Sequence, residues 1–334
     1  MSGSPFITSE VYDLDVGIST IDDLIEAYSR IGGFQGRYIA EAVDVLLNMY
    51  KDPDTTVFLS FTANLISTGL RGLIAKFIER GGFADVVITT AGTLDHDIAK
   101  SMGGKYYQSY FDVDDVEMSK AGIHRIGNVA VRKEHYGPLI EKFVHSSLED
   151  LSRIKEEWGG VRELLWEMGG KRIDDDYSIL RAASKAKVPI YVPGFVDGAF
   201  GTAILTYNEM QRTRTGGKQV KVDVLRDEHE LMDIVYSSKS LGALIIGGGI
   251  SKHHVIWWSQ FAGGLDYVVY ITMAVEWDGS LSGARPKEAI TWGGKVKPTA
   301  RQVFVLEDAT VVLPILIPYV VKKIGFRKGV RAIV

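Results

Sequence analysis

The sequence contains no cysteine among its 334 residues. Disulfide bonds, thiolate metal ligands and cysteine nucleophiles are therefore excluded. Histidine is also scarce: its seven copies include no i, i+4 pair and no HExxH motif, so we expect no simple metal enzyme. The chain has no excess of positive charge either. Its formal net charge is −4 and its pI about 6.0, which argue against a nucleic-acid-binding protein.

Long hydrophobic runs and targeting segments are missing as well. The apolar stretch at 311–321 contains two prolines and is shorter than the roughly 20 residues that cross a bilayer. The first residues show no basic region followed by an apolar run, so we expect no signal peptide and a cytoplasmic protein. We interpret the basic residues near the end as a solvated helix end and strand: Lys322, Lys323, Arg327, Lys328 and Arg331.

Short apolar segments alternate with helical patterns along most of the chain. We predict strands at 56–61, 85–90, 188–192, 243–246, 267–272 and 302–306. Helical patterns lie between most of them, at 138–157, 175–186, 229–237 and 252–260. This alternation predicts a doubly wound, Rossmann-like α/β fold, with a mostly parallel sheet and helices on both faces. We expect one domain over 1–334, in which 1–50 is a helical N-terminal extension broken near Gly32.

Several predicted strands end in glycine, as at 89–92, 193–194 and 247–249. Ligands of open α/β sheets bind beyond the carboxyl ends of the strands, where glycine lets the backbone approach a phosphate. Three such ends predict a nucleotide pocket, although each alone is more often a simple turn. Neither GxGxxG nor GxxxxGK[ST] is present, so the ordinary Rossmann fingerprint and P-loop hydrolysis are not expected.

The segment 276–295 combines acidic residues, tryptophan and lysine with flexible glycines. A lysine beside glycines can swing between partners, and as a free amine it can form a Schiff base. Lys295 is such a lysine, and the indole of Trp292 could hold an alkylammonium group beside it. On the pattern alone, a solvated turn is the commoner interpretation of such a segment.

The string SGARPKEAITWGGK at 282–295, followed by Asp308-Ala309, resembles the active-site region of deoxyhypusine synthases. The segments TANLISTG at 62–69, TTAG at 89–92, VDGAFG at 196–201 and GGGISKHH at 247–254 resemble the same family. All occur in the family's order and together cover nearly the whole chain. The chain is therefore identified as a member of this family, of the archaeal type.

The resemblance implies an NAD-dependent transferase, a homotetramer with active sites at its dimer interfaces. Such enzymes oxidise spermidine, move its aminobutyl group to an enzyme lysine as an imine, and pass it to a lysine of the translation initiation factor 5A precursor. Lys295 would be the catalytic lysine, assisted by His253. The polyamine would contact His253, Glu288, Trp292, Asp95 and Thr202. The NAD site would comprise Asn64, Ser67, Thr90, Ala91, Gly92, Asp197, Gly248, Gly249, Thr272, Asp278, Ser282, Asp308 and Ala309.

The sequence departs from the family pattern near the amine. Two glycines, rather than one, separate Trp292 from Lys295, so we expect a bulged loop, with Lys297 as the fallback nucleophile. Thr202 and Leu281 stand where better-known eukaryotic members have aspartates, and Trp257 stands in place of an asparagine. Asp95 is the candidate for compensation. These changes predict that the chain binds its amine differently, or binds another amine.

Two alternatives to factor 5A modification stay open at this point. The first is a small-molecule transferase that moves the aminobutyl group onto putrescine and forms homospermidine. The second is a non-catalytic NAD-binding partner of an active paralogue. Retention of Lys295 and Trp292 counts against the second, since a subunit without catalysis has no physical need for that lysine.

Overall fold

The computed structural model describes residues 9–327 and Gly329. Its central feature is a six-stranded sheet in the order β11-β10-β9-β1-β2-β7, in which every neighbouring pair is parallel. The strands are β1 (Thr55–Phe61), β2 (Val86–Ile88), β3 (Tyr106–Gln108), β4 (Ile123–Ile126), β5 (Val129–Arg132), β6 (Glu157–Trp158), β7 (Ile190–Tyr191), β8 (Lys221–Val222), β9 (Ser240–Ile246), β10 (Leu265–Thr272) and β11 (Val296–Leu306).

Helices connect these strands and cover the sheet. They are α1 (Ile21–Arg30), α2 (Phe34–Lys51), α3 (Asn64–Ser67), α4 (Leu70–Glu79), α5 (Ala91–Ser101), α6 (Asp115–Lys120), α7 (Gly137–Leu151), α8 (Val161–Arg172), α9 (Ile179–Ala186), α10 (Ala199–Thr213), α11 (Val224–Ser237), α12 (Gly249–Ser259) and α13 (Ala309–Ile324). None of the helices in the described part of the chain is long and apolar enough to cross a membrane.

Strand β1 explains why the sheet needs cover on both sides. All seven of its residues are buried, and alternate side chains point to opposite faces of a strand. Val57 and Leu59 join one hydrophobic core, while Phe58 joins another that includes residues of α11 and α12. The predicted fold, a parallel sheet between two helical layers, is therefore confirmed. The single-domain organisation stays a prediction.

The chain reverses direction across the sheet between β1 and β9. From β1 it moves outward to β2 and β7, then returns to β9 on the other side and continues to β10 and β11. Phe61 and Ile246, the last residues of β1 and β9, lie side by side at this point. A crevice opens there because the flanking connections diverge, and it is where open α/β sheets bind ligands.

The sequence patterns missed several elements. An antiparallel sheet in the order β3-β5-β4 and the short pair β6–β8 were not predicted, and neither were α8 and α10. Short, partly exposed strands give no clear period, which explains the first two omissions. The predicted break near Gly32 is confirmed, because this residue has a φ of +72° between α1 and α2. Residues 9–20 of the N-terminal extension are not helical, and residues 1–8 lie outside the described residues.

The interpretation of the C-terminal basic residues as solvated is wrong for Arg327. Its guanidinium is buried and lies 3.1 Å from a carboxylate oxygen of Asp85. It also donates to the carbonyl oxygens of Thr55 and Gly82. A buried cation needs such partners, because desolvation otherwise costs several kcal/mol, on the order of 3–5. Lys328 and Arg331 lie outside the described residues.

Candidate active site

The predicted cofactor residues lie in the segments that follow the carboxyl ends of the sheet strands. Asn64 follows β1, Gly248 follows β9, and Asp308 follows β11 at the start of α13. Because all six strands are parallel, these segments share one edge of the sheet. The structure therefore brings to one edge residues that are far apart in the sequence.

Two helices begin at this edge without a capping side chain on the residue that precedes them, α5 after Thr90 and α12 after Gly248. The first N–H groups of a helix carry partial positive charge and favour an anion such as a phosphate. Carboxylates at the same edge, Asp197 and Asp308, are of the kind that accepts hydrogen bonds from ribose hydroxyls. Asp308 also caps α13 by accepting from Thr310 N at 2.8 Å. The donor set fits a dinucleotide.

The loop 279–285 after β10 is fixed over the start of α12. Ser282 Oγ accepts a hydrogen bond from Gly249 N at 3.0 Å, and Tyr270 Oη donates to the Ser282 carbonyl. Lys252 Nζ donates to the carbonyl oxygens of Leu281 and Ala284 at 2.6 and 2.7 Å. The loop is thus held from both α12 and β10.

Lys252 is a functional-site residue that the sequence analysis missed. It is buried, and its Nζ lies 3.8 Å from the centre of the Tyr270 ring. Burial lowers the pKa of Lys252 to about 7, while the charge of Glu288 raises it. Its position three residues after Gly249 was the signal in the sequence, since the first turns of such a helix face the ligand edge.

Gly248 has no room for a side chain, because a Cβ there would lie 2.3 Å from Ser282 Oγ. We predict that Gly248→Ala displaces the loop 279–285 and weakens dinucleotide binding by about tenfold or more, roughly 1.4 kcal/mol. Titration calorimetry with NAD would measure the change. Gly137→Ala is the matched control, because a Cβ at Gly137 meets nothing within 4 Å. Equal NAD affinity in both variants would contradict the prediction.

A cavity of about 290 Å³ extends from the loop 279–285 to Lys295. Its walls include Leu281, His253, Glu288, Trp292 and Lys295, together with apolar residues of β9 and β10. Lys295 immediately precedes β11, so it lies toward the amino ends of the strands, away from the edge that carries Asn64 and Asp308. The cavity therefore links the loop that carries Ser282 with the predicted catalytic lysine.

Lys295 is the only lysine besides Lys252 that lines this cavity in the described part of the chain. Its residue is 8% exposed. The carbonyl of Lys295 accepts from Ser259 Oγ at 2.8 Å and from Leu265 N at 3.1 Å, which fixes the backbone. The fallback, Lys297, does not line the cavity, and its Nζ is paired with Asp266 at 2.8 Å. The geometry favours Lys295 over Lys297.

Two indole rings flank the Lys295 ammonium. Its Nζ lies 5.4 Å from the centre of the Trp257 ring and 5.9 Å from that of Trp292. Both distances are within the roughly 6 Å at which a cation is attracted to an aromatic face. Trp292 is 65% exposed, so it is not a core residue.

His253 lies beside this lysine, and its ring stacks on Trp257 with centres 5.8 Å apart. Burial lowers the pKa of His253, and the charges of Lys295 and His254 lower it further. The neutral ring at pH 7 can accept a proton or a hydrogen bond from an amine. His254 points elsewhere and lies 3.3 Å from Glu228, as neighbouring helical side chains diverge by about 100°.

The turn before Lys295 uses both glycines. Gly293 and Gly294 have φ angles of +71° and +70°, in the left-handed region that favours glycine. The turn brings the chain from Trp292 into β11 while Lys295 N donates to the Ala289 carbonyl at 3.2 Å. The second glycine thus widens the turn without removing Lys295 from the cavity.

The structure does not place Asp95 and Thr202 with the other predicted substrate residues. Neither lines the cavity that contains Lys295. The Asp95 carboxylate is buried and accepts hydrogen bonds from Ala199 N and Phe200 N, at the start of α10. Thr202 Oγ1 donates to the Gly198 carbonyl on the same helix. Within one chain, the Asp95 carboxylate therefore caps a helix outside this cavity, and its contact with the amine stays a prediction.

Among residues 9–327 and 329, no group of three or more histidine, aspartate or glutamate side chains could hold a metal ion. Lys295, His253 and Glu288 bring a primary amine, an imidazole and a carboxylate to one cavity, which are the group types that amine chemistry uses.

A family model described as deoxyhypusine synthase matches residues 23–320 of the chain. The chain belongs to the deoxyhypusine synthase family. Its activity class is that of a transferase, as the resemblance of the motifs implied. The match spans the sheet, the glycine-rich strand ends and the Lys295 loop together.

Relatives of archaeal origin agree with this assignment. A probable deoxyhypusine synthase from Pyrobaculum aerophilum is 56% identical over 298 residues, which are 88% of this chain and 98% of that protein. Another from Ignicoccus hospitalis is 53% identical over 325 residues, 97% of this chain and 99% of that protein. A crystal structure from Entamoeba histolytica, described as a deoxyhypusine synthase, has a TM-score of 0.61 at 20% identity and covers 98% of this chain and 100% of that chain. The last comparison supports the fold alone.

Proposed function

We propose that this chain transfers the aminobutyl group of spermidine, through an imine on Lys295, to one lysine of the translation initiation factor 5A precursor. The observation that carries the proposal is the buried Lys295 amine, which shares one cavity with His253, Glu288 and Trp292. Family membership supplies the reaction class, and the cavity supplies residues of the required chemical types. The product would be deoxyhypusine, the first step of hypusine synthesis.

NAD is the proposed cofactor. The uncapped start of α5, the start of α12 and the carboxylates of Asp197 and Asp308 would hold its phosphates and ribose hydroxyls. When bound, the cofactor would supply hydride acceptance at the carbon beside the secondary nitrogen of spermidine, and later the return of that hydride. The other predicted contacts lie at the same strand ends, as described above.

Each residue of the cavity has a separate role in the reaction of the amine substrate. Lys295 attacks the oxidised carbon with its free amine, a new carbon–nitrogen bond forms, and the remaining diamine leaves with the bonding electrons and a proton. His253, neutral at pH 7, is placed to take up or return that proton. Glu288 offers a carboxylate to an ammonium group of the substrate. The apolar walls restrict water, which would hydrolyse the imine.

Trapping of the imine tests this proposal. The protein is incubated with NAD and spermidine, reduced with borohydride, digested, and analysed by mass spectrometry. We expect an added aminobutyl mass on Lys295. An adduct on another lysine, or none under conditions where spermidine is consumed, would overturn the assignment.

Transfer to a small amine is the second candidate function. The observation that favours it is Leu281, an apolar residue in the cavity wall where a carboxylate would assist a polyamine. Incubation with labelled spermidine, NAD and equal concentrations of the factor 5A precursor and putrescine separates the candidates. Label in protein supports the proposed function, whereas label only in homospermidine supports the alternative. An inactive paralogue would produce neither.

We also propose a homotetramer with active sites at dimer interfaces. Asp95 and Thr202 lie outside the Lys295 cavity of their own chain, while Trp292 in the cavity wall and Trp257 beside Lys295 are both exposed. In the proposed dimer, Asp95 and Thr202 of one subunit lie close to Trp257 and Trp292 of the other. Light scattering would give the subunit number. Activity in mixtures of Lys295→Ala and Thr202→Arg chains would show whether two chains share one site.

A further inference from the structure

The indole of Trp257 is placed on the same ammonium as that of Trp292, from a different element. Trp257 is on α12, one helical turn after His253, whereas Trp292 is on the turn before β11. Their ring centres lie 5.4 and 5.9 Å from Lys295 Nζ. Two aromatic faces directed at one cation form a partial aromatic cage, the arrangement that binds alkylammonium ligands.

The charges around the cavity indicate that the two indoles are needed to bind a cationic substrate. Within the described chain, Glu288 is the only carboxylate-bearing residue in the cavity wall. Arg285 is paired with Glu276, which offsets its charge, and Lys252 Nζ is held at the loop 279–285 by two backbone carbonyls. A polyamine brings two or more ammonium groups to one carboxylate. Aromatic faces are the remaining groups that attract a cation here.

We propose that Trp257 is a specificity-determining residue, which forms with Trp292 an aromatic cage for an ammonium group of the amine substrate. The inference rests on the proposed function and deepens it. In the free enzyme, the cage holds the Lys295 side chain. When a substrate ammonium enters, it occupies the two aromatic faces.

The position of Trp257 makes a direct test practical. Its side chain is partly exposed and is not one of the core residues, so its replacement should leave the fold intact. Trp258 is the matched control, because it follows on the same helix and its indole donates to Glu228 at 2.9 Å. Trp257→Leu removes the aromatic face, Trp257→Phe keeps a weaker one, and Trp258→Phe leaves the cage unchanged.

Titration calorimetry would measure spermidine affinity in the presence of NAD, and steady-state kinetics would give KM and kcat. We expect Trp257→Leu to weaken spermidine binding by about 3- to 30-fold, and Trp257→Phe by less. The kcat and the NAD affinity should stay within about twofold of wild type. Trp258→Phe should bind spermidine normally.

Two results would overturn the proposal that Trp257 and Trp292 form an aromatic cage. One is unchanged spermidine affinity in Trp257→Leu. The other is a joint loss of spermidine binding, NAD binding and kcat, which would indicate a structural role. Imine trapping in the wild-type protein is a separate measurement, because it tests the proposed function and not the cage. A wild type that forms the Lys295 adduct while Trp257→Leu binds spermidine normally keeps the proposed function and loses only the cage.

Discussion

Lys295→Ala is expected to abolish aminobutyl transfer, with a loss of at least about 10³-fold in kcat. The variant removes the nucleophile, and no other described lysine in the cavity can replace it. Lys252, the other one, holds the carbonyl oxygens of Leu281 and Ala284. Lys295→Arg should be equally inactive, because it restores a cation between the two indoles without an amine that forms an imine.

The control for this prediction is Lys297→Ala. Lys297 is two residues away but pairs with Asp266 outside the cavity, so its loss should leave most of the transfer activity. The assay follows labelled spermidine into the factor 5A precursor, and NAD titration verifies that each variant still binds its cofactor. Full transfer by Lys295→Ala, or loss of transfer only in Lys297→Ala, would contradict the assignment of the nucleophile.

Asp97→Ala is expected to lower the free energy of unfolding by about 3–5 kcal/mol, the largest stability effect that we predict. The Asp97 carboxylate is fully buried on α5. It accepts from Arg71 Nε at 2.7 Å and from Ile179 N and Leu180 N at 3.0 Å, the first N–H groups of α9. Alanine leaves a buried guanidinium without a main partner and a helix start without its cap.

Urea unfolding at fixed protein concentration, followed by far-UV circular dichroism, would measure this change. The fixed concentration matters because assembly would stabilise the folded chain. Asp174→Ala is the control: its side chain is fully exposed and pairs with Arg181, an interaction that solvent weakens. If Asp97→Ala and Asp174→Ala unfold at the same urea concentration, the buried network does not stabilise the protein as described.

Much of the fold followed from local patterns. The buried strands β1, β9 and β10 have apolar, β-branched runs that only a covered parallel sheet accommodates, and each was predicted within a few residues. The family followed from several motifs in order, which the family match confirms. The sequence analysis missed the sheet of β3, β4 and β5, because its short strands bury few side chains and so lack a clear alternation.

The candidate site was predictable in its residue types but not in its grouping. Spacing on a helix relates His253 to Trp257, since residues four apart share a face. No spacing relates Trp257 to Lys295, which meet only because β11 follows a left-handed turn at Gly293 and Gly294. For the same reason, the sequence did not predict the helix-capping contact of Asp95: its local sequence shows an acid near a strand end, whereas its partner, the start of α10, is about a hundred residues away.

The sequence by itself determined that this protein is an α/β member of the deoxyhypusine synthase family and that a lysine follows its glycine turn. Those properties are local, since they depend on side-chain periodicity and on motifs read along the chain. The tertiary structure alone decided which side chains surround Lys295. In the folded chain, one cavity connects the loop 279–285 to the amino end of β11. The Asp95 carboxylate accepts a hydrogen bond at the start of α10. Contacts between distant segments arise from packing and burial, which no short stretch of sequence encodes.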